Sequence, residues 1–275
     1  MRIVLIASAP QAALGLSRTL AGLHHDVPAL VSIRAPAGRY GPDYPSALHG
    51  VVPDGDLVFV RSGDRLGPLL AAYDADLAIC ASFPARIPVD ALTTPRLGIL
   101  NVHPAFLPRY RGPNPMGWAL RNGDAEIGLT AHRMVEELDA GPIYAQAAVP
   151  VGDGDDPVAD AARAFARASE RLMGEALDRV ARGDPGDPQD EAAASYAGPF
   201  ERAYLEVDWT RTAREIRDQT RAWTLAPPVG ALRGPLTEID GRRVRILRAR
   251  LDGEHGGRPL PCADGPLWVL ETEPA

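Results

Sequence analysis

The sequence predicts an α/β domain with a mostly parallel sheet, followed by a small C-terminal α+β or barrel-like (OB-like) part. Three observations carry this reading. From Arg2 onward, short β-branched and aliphatic runs alternate with helical periods, the pattern of βαβ units. Residues 183–198 are a run of Asp, Pro, Gly and Ala without an apolar period, as at a break between domains. Beyond them the texture changes to one helix and short strands separated by Gly-rich turns. The predicted domains are 1–185 and 199–275, with a linker over 186–198.

Taken in order, residues 2–7 have the length and apolar content of a buried parallel strand. Residues 11–23 form a helix through Leu14, Leu20 and Leu23, and 27–33 return as the second strand. The turn after the first strand lacks Gly-x-Gly-x-x-Gly, which argues against the usual dinucleotide-binding fold. Residues 35–56 carry Arg39 and Tyr40 and exceed the usual strand connection; a binding loop and a disordered insert explain them equally. A short strand at 57–60, a helix at 67–73, a central strand at 75–81 and a loop at 82–88 follow. A short helix at 89–92 precedes a strand at 97–102. Residues 115–121 are helical, burying Met116, Trp118 and Leu120. Strands at 127–134 and 142–151 are expected to pair around a loop at 135–140. Asp156-Pro157 starts a long helix at 158–182, with Ala161, Phe165, Leu172, Ala176, Leu177 and Val180 at helical spacing. In the last part a helix at 211–223 is capped by Thr210 or Thr212, and strands fall at 230–232, 244–251 and 267–271.

Composition narrows the function classes. Hydrophobic content of 45% with 24% charged residues is ordinary for a soluble globular protein. The formal net charge of −7 does not favour nucleic acid. No lysine is present, so neither a Schiff base nor a phosphate-loop lysine is available. Cys80 and Cys262 cannot make a multi-cysteine metal site, and a reducing, cytoplasmic setting suits them better than a disulfide. The apolar N-terminal run is too short for a signal or a membrane span.

The chemistry concentrates between Gly98 and Gly112. Pro104 and Pro108 keep His103 and Leu107 out of the helical region, so the strand breaks into an irregular loop. Strand alternation places Asn101 and His103 on one face, at the carboxyl end of a buried strand, where open α/β sheets bind ligands. Asp139 lies in a turn between two predicted strands. An aspartate can fix a histidine's tautomer and raise its pKa, and an asparagine amide can donate to an oxyanion. The trio suits nucleophilic addition to a carbonyl, although on spacing alone such a trio is more often structural than catalytic. His132 reads as structural or as a neighbour of the site, and His24, His25, His49 and His255 show no metal-ligand spacing.

Residues 101–112, Asn-Val-His-Pro-Ala-Phe-Leu-Pro-Arg-Tyr-Arg-Gly, closely resemble the signature loop of the methionyl-tRNA formyltransferase family. The resemblance continues through Asn122-Gly123-Asp124, Gly128-Leu129-Thr130, His132-Arg133-Met134, Leu138-Asp139-Ala140-Gly141, Val207-Asp208-Trp209 and Ile216-Arg217. It implies a Rossmann-like formyltransferase domain that uses 10-formyltetrahydrofolate and no metal. Asn101, His103 and Asp139 become the catalytic trio. Phe83, Arg86 and Ile87 in the loop at 82–88, with Asp139 opposite, are the cofactor-side residues, although Phe83 as ordinary core fits nearly as well. Pro104, Arg109 and Tyr110 are the substrate-side residues; Arg111 is expected to brace the loop, and Arg109 stays open between binding and bracing.

The family contains two kinds of acceptor. An initiator-tRNA enzyme calls for a basic insertion loop and a basic C-terminal domain. Here the loop after Ala35 keeps Pro36-Ala37-Gly38-Arg39, which resembles that insertion, but it holds few basic residues, and the C-terminal part is shorter than expected for that enzyme. Its arginines at 242, 243, 245, 248 and 250 are explained by a solvated strand face as well as by RNA. A small amine such as an amino sugar or an amino-acid-derived metabolite is therefore the favoured acceptor. Methionyl-tRNA is the runner-up, formyltetrahydrofolate hydrolysis the third reading and a non-catalytic binding module the last. A homodimer is compatible with this reading, and no membrane partner is expected.

Overall fold

A computed structural model describes residues 1–34, 44–151, 157–226, 233–254 and 256–275. Arg39, Tyr40, Asp156, the strand expected at 230–232 and His255 lie outside the described residues. The chain runs β1 (Ile3–Ala7), α1 (Pro10–Gly22), β2 (Ala29–Ile33), α2 (Tyr44–Leu48), β3 (Asp56–Val60), α3 (Leu66–Ala72) and β4 (Leu77–Ala81). It continues through α4 (Val89–Leu92), β5 (Ile99–His103), α5 (Pro115–Arg121), β6 (Glu126–Arg133), β7 (Ile143–Pro150) and α6 (Pro157–Ala181).

These strands form a seven-stranded sheet in the order β3-β2-β1-β4-β5-β6-β7. The strands from β3 to β5 are parallel, and β6 runs antiparallel to β5. Every residue of β1 and β4 is buried, which is why both read as unbroken apolar runs. One core cluster joins Val4, Ile6, Val31, Ala78 and Ile99 of the sheet to Leu66, Leu70 and Leu92. The strand order reverses between β1 and β4, so the carboxyl ends of β4 and β5 lie beside a topological switch point.

The described residues form two compact units that interleave along the chain. One holds 1–111, 128–149 and 163–195; the other holds 112–127, 150–162 and 196–275. The expected linker at 186–198 spans one crossing, at residues 195 and 196, and four further crossings had no sequence signal. In the second unit follow α7 (Ala213–Leu225), β8 (Leu236–Ile239), β9 (Arg242–Arg250), β10 (Arg258–Cys262) and β11 (Gly265–Pro274). The strands make an antiparallel sheet in the order β10-β11-β9-β8, giving an α+β unit. Ala213 and Ile216 of α7 pack with Ile246, Leu267 and Val269 of this sheet. Thr212 caps α7 in a capping box with Glu215, whereas Thr210 bonds to Asp208.

Three local readings change. Residues 44–48 are helical: Tyr44 is buried, its hydroxyl 2.5 Å from Ser32 Oγ and its ring edge-on to Phe59. Met116 and Trp118 are only half-buried. Trp118 spends its polar edge on the Gly198 carbonyl at 2.7 Å and its face on the Arg121 guanidinium, so α5 turns Ala119 and Leu120 inward instead. The expected linker has no regular period, yet it is fastened by hydrogen bonds: Asp187 bridges to Ile143, and Ser195 N–H donates to the Pro108 carbonyl at 3.2 Å. Both cysteines are free. Among the described residues no helix is long and apolar enough to cross a membrane.

Gly128 on β6 is required by close approach. A Cβ there would lie 2.0 Å from Phe106 N and 2.4 Å from Ala105 C, inside the backbone of the loop that leaves β5. Gly128→Ala is expected to destabilise the protein by about 1–3 kcal/mol through overpacking. The check is a lower urea midpoint at unchanged m-value; an unshifted midpoint would show that the loop yields freely.

Candidate active site

β5 delivers Asn101 and His103, and the antiparallel pairing of β6 sets His132 directly opposite Asn101. The chain then loops out and returns with Asp139. The neck of that loop is closed by Arg133 N–H donating to the Pro142 carbonyl at 2.9 Å. Gly141 is needed at the neck, since a Cβ would lie 1.9 Å from Arg133 O. Asp139 sits in the left-handed region at φ 53°, a conformation Asp tolerates better than most residues.

The four side chains converge. His103 is 4% exposed, Asp139 8% and His132 1%. Asp139 Oδ2 stands 3.7 Å from His103 Nδ1, and its Oδ1 stands 3.6 Å from His132 Nε2. Asn101 Nδ2 donates to His132 Nε2 at 3.2 Å and, at a long 3.4 Å, to Asp139 Oδ1. Carbonyl partners settle both tautomers, because a carbonyl only accepts. His132 Nδ1 donates to the Arg133 carbonyl at 3.0 Å, which leaves Nε2 of the neutral ring as the acceptor for Asn101. His103 Nε2 donates to the Tyr110 carbonyl at 2.9 Å, which leaves the Nδ1 lone pair of the neutral ring facing Asp139. Burial pushes the His103 imidazole below its ordinary 6.5, opposed by the Asp139 charge and the Tyr110 carbonyl.

The loop after His103 is held from below. Thr130 Oγ1 donates to the Ala105 carbonyl at 2.6 Å and accepts from Leu107 N–H at 3.3 Å. Gln146 Nε2 donates to Thr130 Oγ1 and to the Leu107 carbonyl, both at 2.9 Å. Tyr110 also has a left-handed backbone, φ 61°, which aims its carbonyl at His103 while Ser195 Oγ accepts from its N–H at 2.9 Å.

Not every candidate residue presents its side chain. Ile87 is a buried member of the core cluster and the partly buried Phe83 packs against it; the exposed Arg86 lies 3.5 Å from Glu136. Tyr110 turns its carbonyl, not its buried ring, toward His103. Arg109 is exposed and lies over the Tyr110 ring, donating to its hydroxyl at 2.7 Å; Pro104 is half-buried beside His103. Arg111 braces the loop as expected, donating to Gln189 and Glu191. From the sequence His132 reads as structural or as a neighbour of the site, and Gln189 and Ser195 carry no expectation. His132 was findable by laying β6 against β5, whereas the other two sit in a segment without any pattern. Cys80 lies in β4 next to its last residue, where burial pushes its thiol up to about 12. Among the described residues no group of three or more His, Cys, Asp or Glu side chains is placed to hold a metal ion.

A Rossmann-like sheet with this cluster at its carboxyl edge defines a transferase domain of known type: a family profile described as formyl transferase matches residues 62–177, which contain all four residues. A methionyl-tRNA formyltransferase from Paracoccus denitrificans is 31% identical over 285 residues, covering 99% of this chain and 92% of its own. Among solved structures, HypX from Aquifex aeolicus in complex with tetrahydrofolic acid superposes with a TM-score of 0.70 at 19% identity; all of this chain is covered, but only 44% of HypX. A sugar N-formyltransferase from a Shewanella species gives 0.65 at 18% identity, covering 90% of this chain and 96% of its own. The chain belongs to the formyltransferase family and is an enzyme of that class.

With desolvation dominant, the His103 imidazole should titrate below 6.5. Asp139→Asn removes the charge that raises it, so the midpoint should move lower still. Imidazole NMR against pH reads both. A wild-type midpoint at or above 6.5, or an upward shift in the variant, would contradict the arrangement.

Proposed function

We propose that the protein transfers the formyl group of 10-formyltetrahydrofolate to the amine of a small molecule, such as an amino sugar or an amino-acid-derived metabolite. The observation that carries the reaction is the buried Asn101–His103–Asp139 cluster at the carboxyl end of β5. The donor supplies an activated formyl carbon. The acceptor amine adds to that carbon, the bond to N10 breaks, and one amine proton passes to N10. Asn101 Nδ2 would hold the developing oxyanion, since its 3.4 Å bond to Asp139 is the weakest in the cluster and the readiest to exchange. His103, neutral at pH 7 with Nδ1 unprotonated, would take the amine proton there. Asp139 would stabilise the imidazolium so formed. The loop at 82–88 would meet the donor through its backbone, at a turn where Ser82 takes φ 53°.

The acceptor reading rests on charge. Residues 199–275 hold twelve arginines and twelve carboxylates, so this region carries no overall surplus of positive charge for a phosphate backbone. Arg211, Arg217, Arg243 and Arg258 are each paired with a carboxylate. Methionyl-tRNA is the second reading, favoured by the Paracoccus relative, of whose length this chain spans 92%. That coverage removes the shortness of the C-terminal part as an argument against tRNA, and leaves the charge argument standing.

Purified protein with 10-formyltetrahydrofolate and a panel of amino sugars and amino-acid-derived amines should give a formylated product detected by mass. Methionyl-tRNA should be formylated slowly or not at all. Efficient, salt-sensitive formylation of methionyl-tRNA would overturn the acceptor, and full-rate formate release without any amine would point to hydrolysis. His103→Ala and Asp139→Asn should each lower kcat by about 10²–10⁴-fold, the usual range for a lost acid–base group. Near-wild-type turnover in either variant would sink the catalytic assignment.

A further inference from the structure

Gln189 lies in the stretch without regular structure that follows α6, and its side-chain amide is fully used. Nε2 donates to the Asp139 carbonyl and to the Gly141 carbonyl, both at 2.8 Å. Oε1 accepts from Arg111 Nε at 3.1 Å and from Arg111 Nη2 at 2.8 Å. A glutamine has two donors and two acceptor sites, and all four are spent on two segments of the chain. One segment is the turn that holds Asp139 in its left-handed conformation. The other is the end of the loop whose Tyr110 carbonyl fixes His103. The guanidinium of Arg111 is locked in turn by Glu191, with contacts of 2.7 and 2.9 Å. Together the three side chains set the spacing between the two halves of the cluster.

We propose that Gln189 is a positioning residue for formyl transfer, holding the Asp139 turn at the distance from His103 and Asn101 that the reaction needs. The inference rests on those three residues being the catalytic trio. Neither donor of Gln189 touches a reacting atom; it acts through the backbone on both sides of Ala140. An Asp139 carboxylate 3.7 Å from the imidazole is close enough to stabilise an imidazolium and too far to hold itself there by a hydrogen bond to that ring. The clamp on its backbone does that instead.

Gln189→Glu separates the two halves of the clamp. It keeps the shape and an acceptor for Arg111, but it sets a carboxylate oxygen against two carbonyls. kcat should fall by about 10²-fold, the size of effect a 1 Å misplacement produces, while KM for 10-formyltetrahydrofolate stays within about threefold. In an Asp139→Asn background the same substitution should cost little more, because Gln189 acts through that carboxylate. Independently of turnover, hydrogen exchange of the amides at 138–141 should speed up about tenfold or more, while that of α6 stays unchanged. Wild-type kcat in Gln189→Glu, an equal cost in both backgrounds, or unchanged exchange at 138–141 would overturn the proposal. If His103→Ala and Asp139→Asn keep full activity, it is the catalytic assignment that fails, and the exchange measurement still decides whether Gln189 holds the turn.

Discussion

A carboxylate and two imidazoles stand almost wholly out of water beside the end of β5, and the groups that satisfy them constrain much of the surrounding structure. Removing charge or hydrogen-bonding capacity from water is costly unless partners replace it. Asp139 accepts from the Asn101 amide at 3.4 Å and stands 3.7 and 3.6 Å from ring nitrogens of His103 and His132, while each histidine spends its N–H on a backbone carbonyl. His132 spends it on the Arg133 carbonyl and His103 on the Tyr110 carbonyl. The second of these requires Tyr110 to adopt a positive φ, as Asp139 does. Strain of this kind persists only where the neighbours over-determine it, and here the neighbours are Ser195 for Tyr110 and Gln189 for Asp139.

The rest of the first unit supplies that over-determination in layers. The fully buried strands β1 and β4 make a rigid base, and β5 extends it by parallel pairing through Cys80 and Asn101. The reversal of direction at β6 places His132 across from Asn101 without any long connection. Gly128 and Gly141 then allow backbone to pass where a Cβ could not. Thr130 and Gln146, both on strands, hold the loop that carries Pro104 and Leu107. A site built on strands and tied by loops keeps its geometry better than one built on loops alone.

How much of this was legible in the sequence follows from the reach of each interaction. The strands and helices were legible because burial on one or both faces writes a local period, and Asn101 and His103 because a Pro-rich break directly follows their strand. Asp139 is a candidate from its turn between two predicted strands, but a separation of 38 residues from Asn101 hides the partnership from any local rule, and the resemblance to a known family gives it its catalytic role. His132 needed the register between two antiparallel strands. Gln189 and Ser195 left no trace, since the segment between residues 186 and 198 is ordered by bonds to distant carbonyls and carries no apolar period. The same cause explains why the two units interleave where one boundary was expected: α5 packs against α7, and nothing in residues 115–121 announces that.

Reaction and acceptor separate for a related reason. The carbonyl chemistry depends on a few side chains whose partners are all internal, so their identities and spacing carry it. Acceptor choice depends on what surrounding segments present to solvent, and there charge is the strongest physical term that the chain offers. An enzyme that grips RNA needs cations left over after internal pairing. In the C-terminal region the carboxylates match the arginines in number, and Arg243 and Arg258 on the sheet already have carboxylate partners. Similarity to a methionyl-tRNA formyltransferase across nearly the whole chain and a C-terminal region with equal numbers of arginines and carboxylates point to different acceptors. The proposed small amine rests on the second, which bears on binding energy, whereas the first reports shared ancestry.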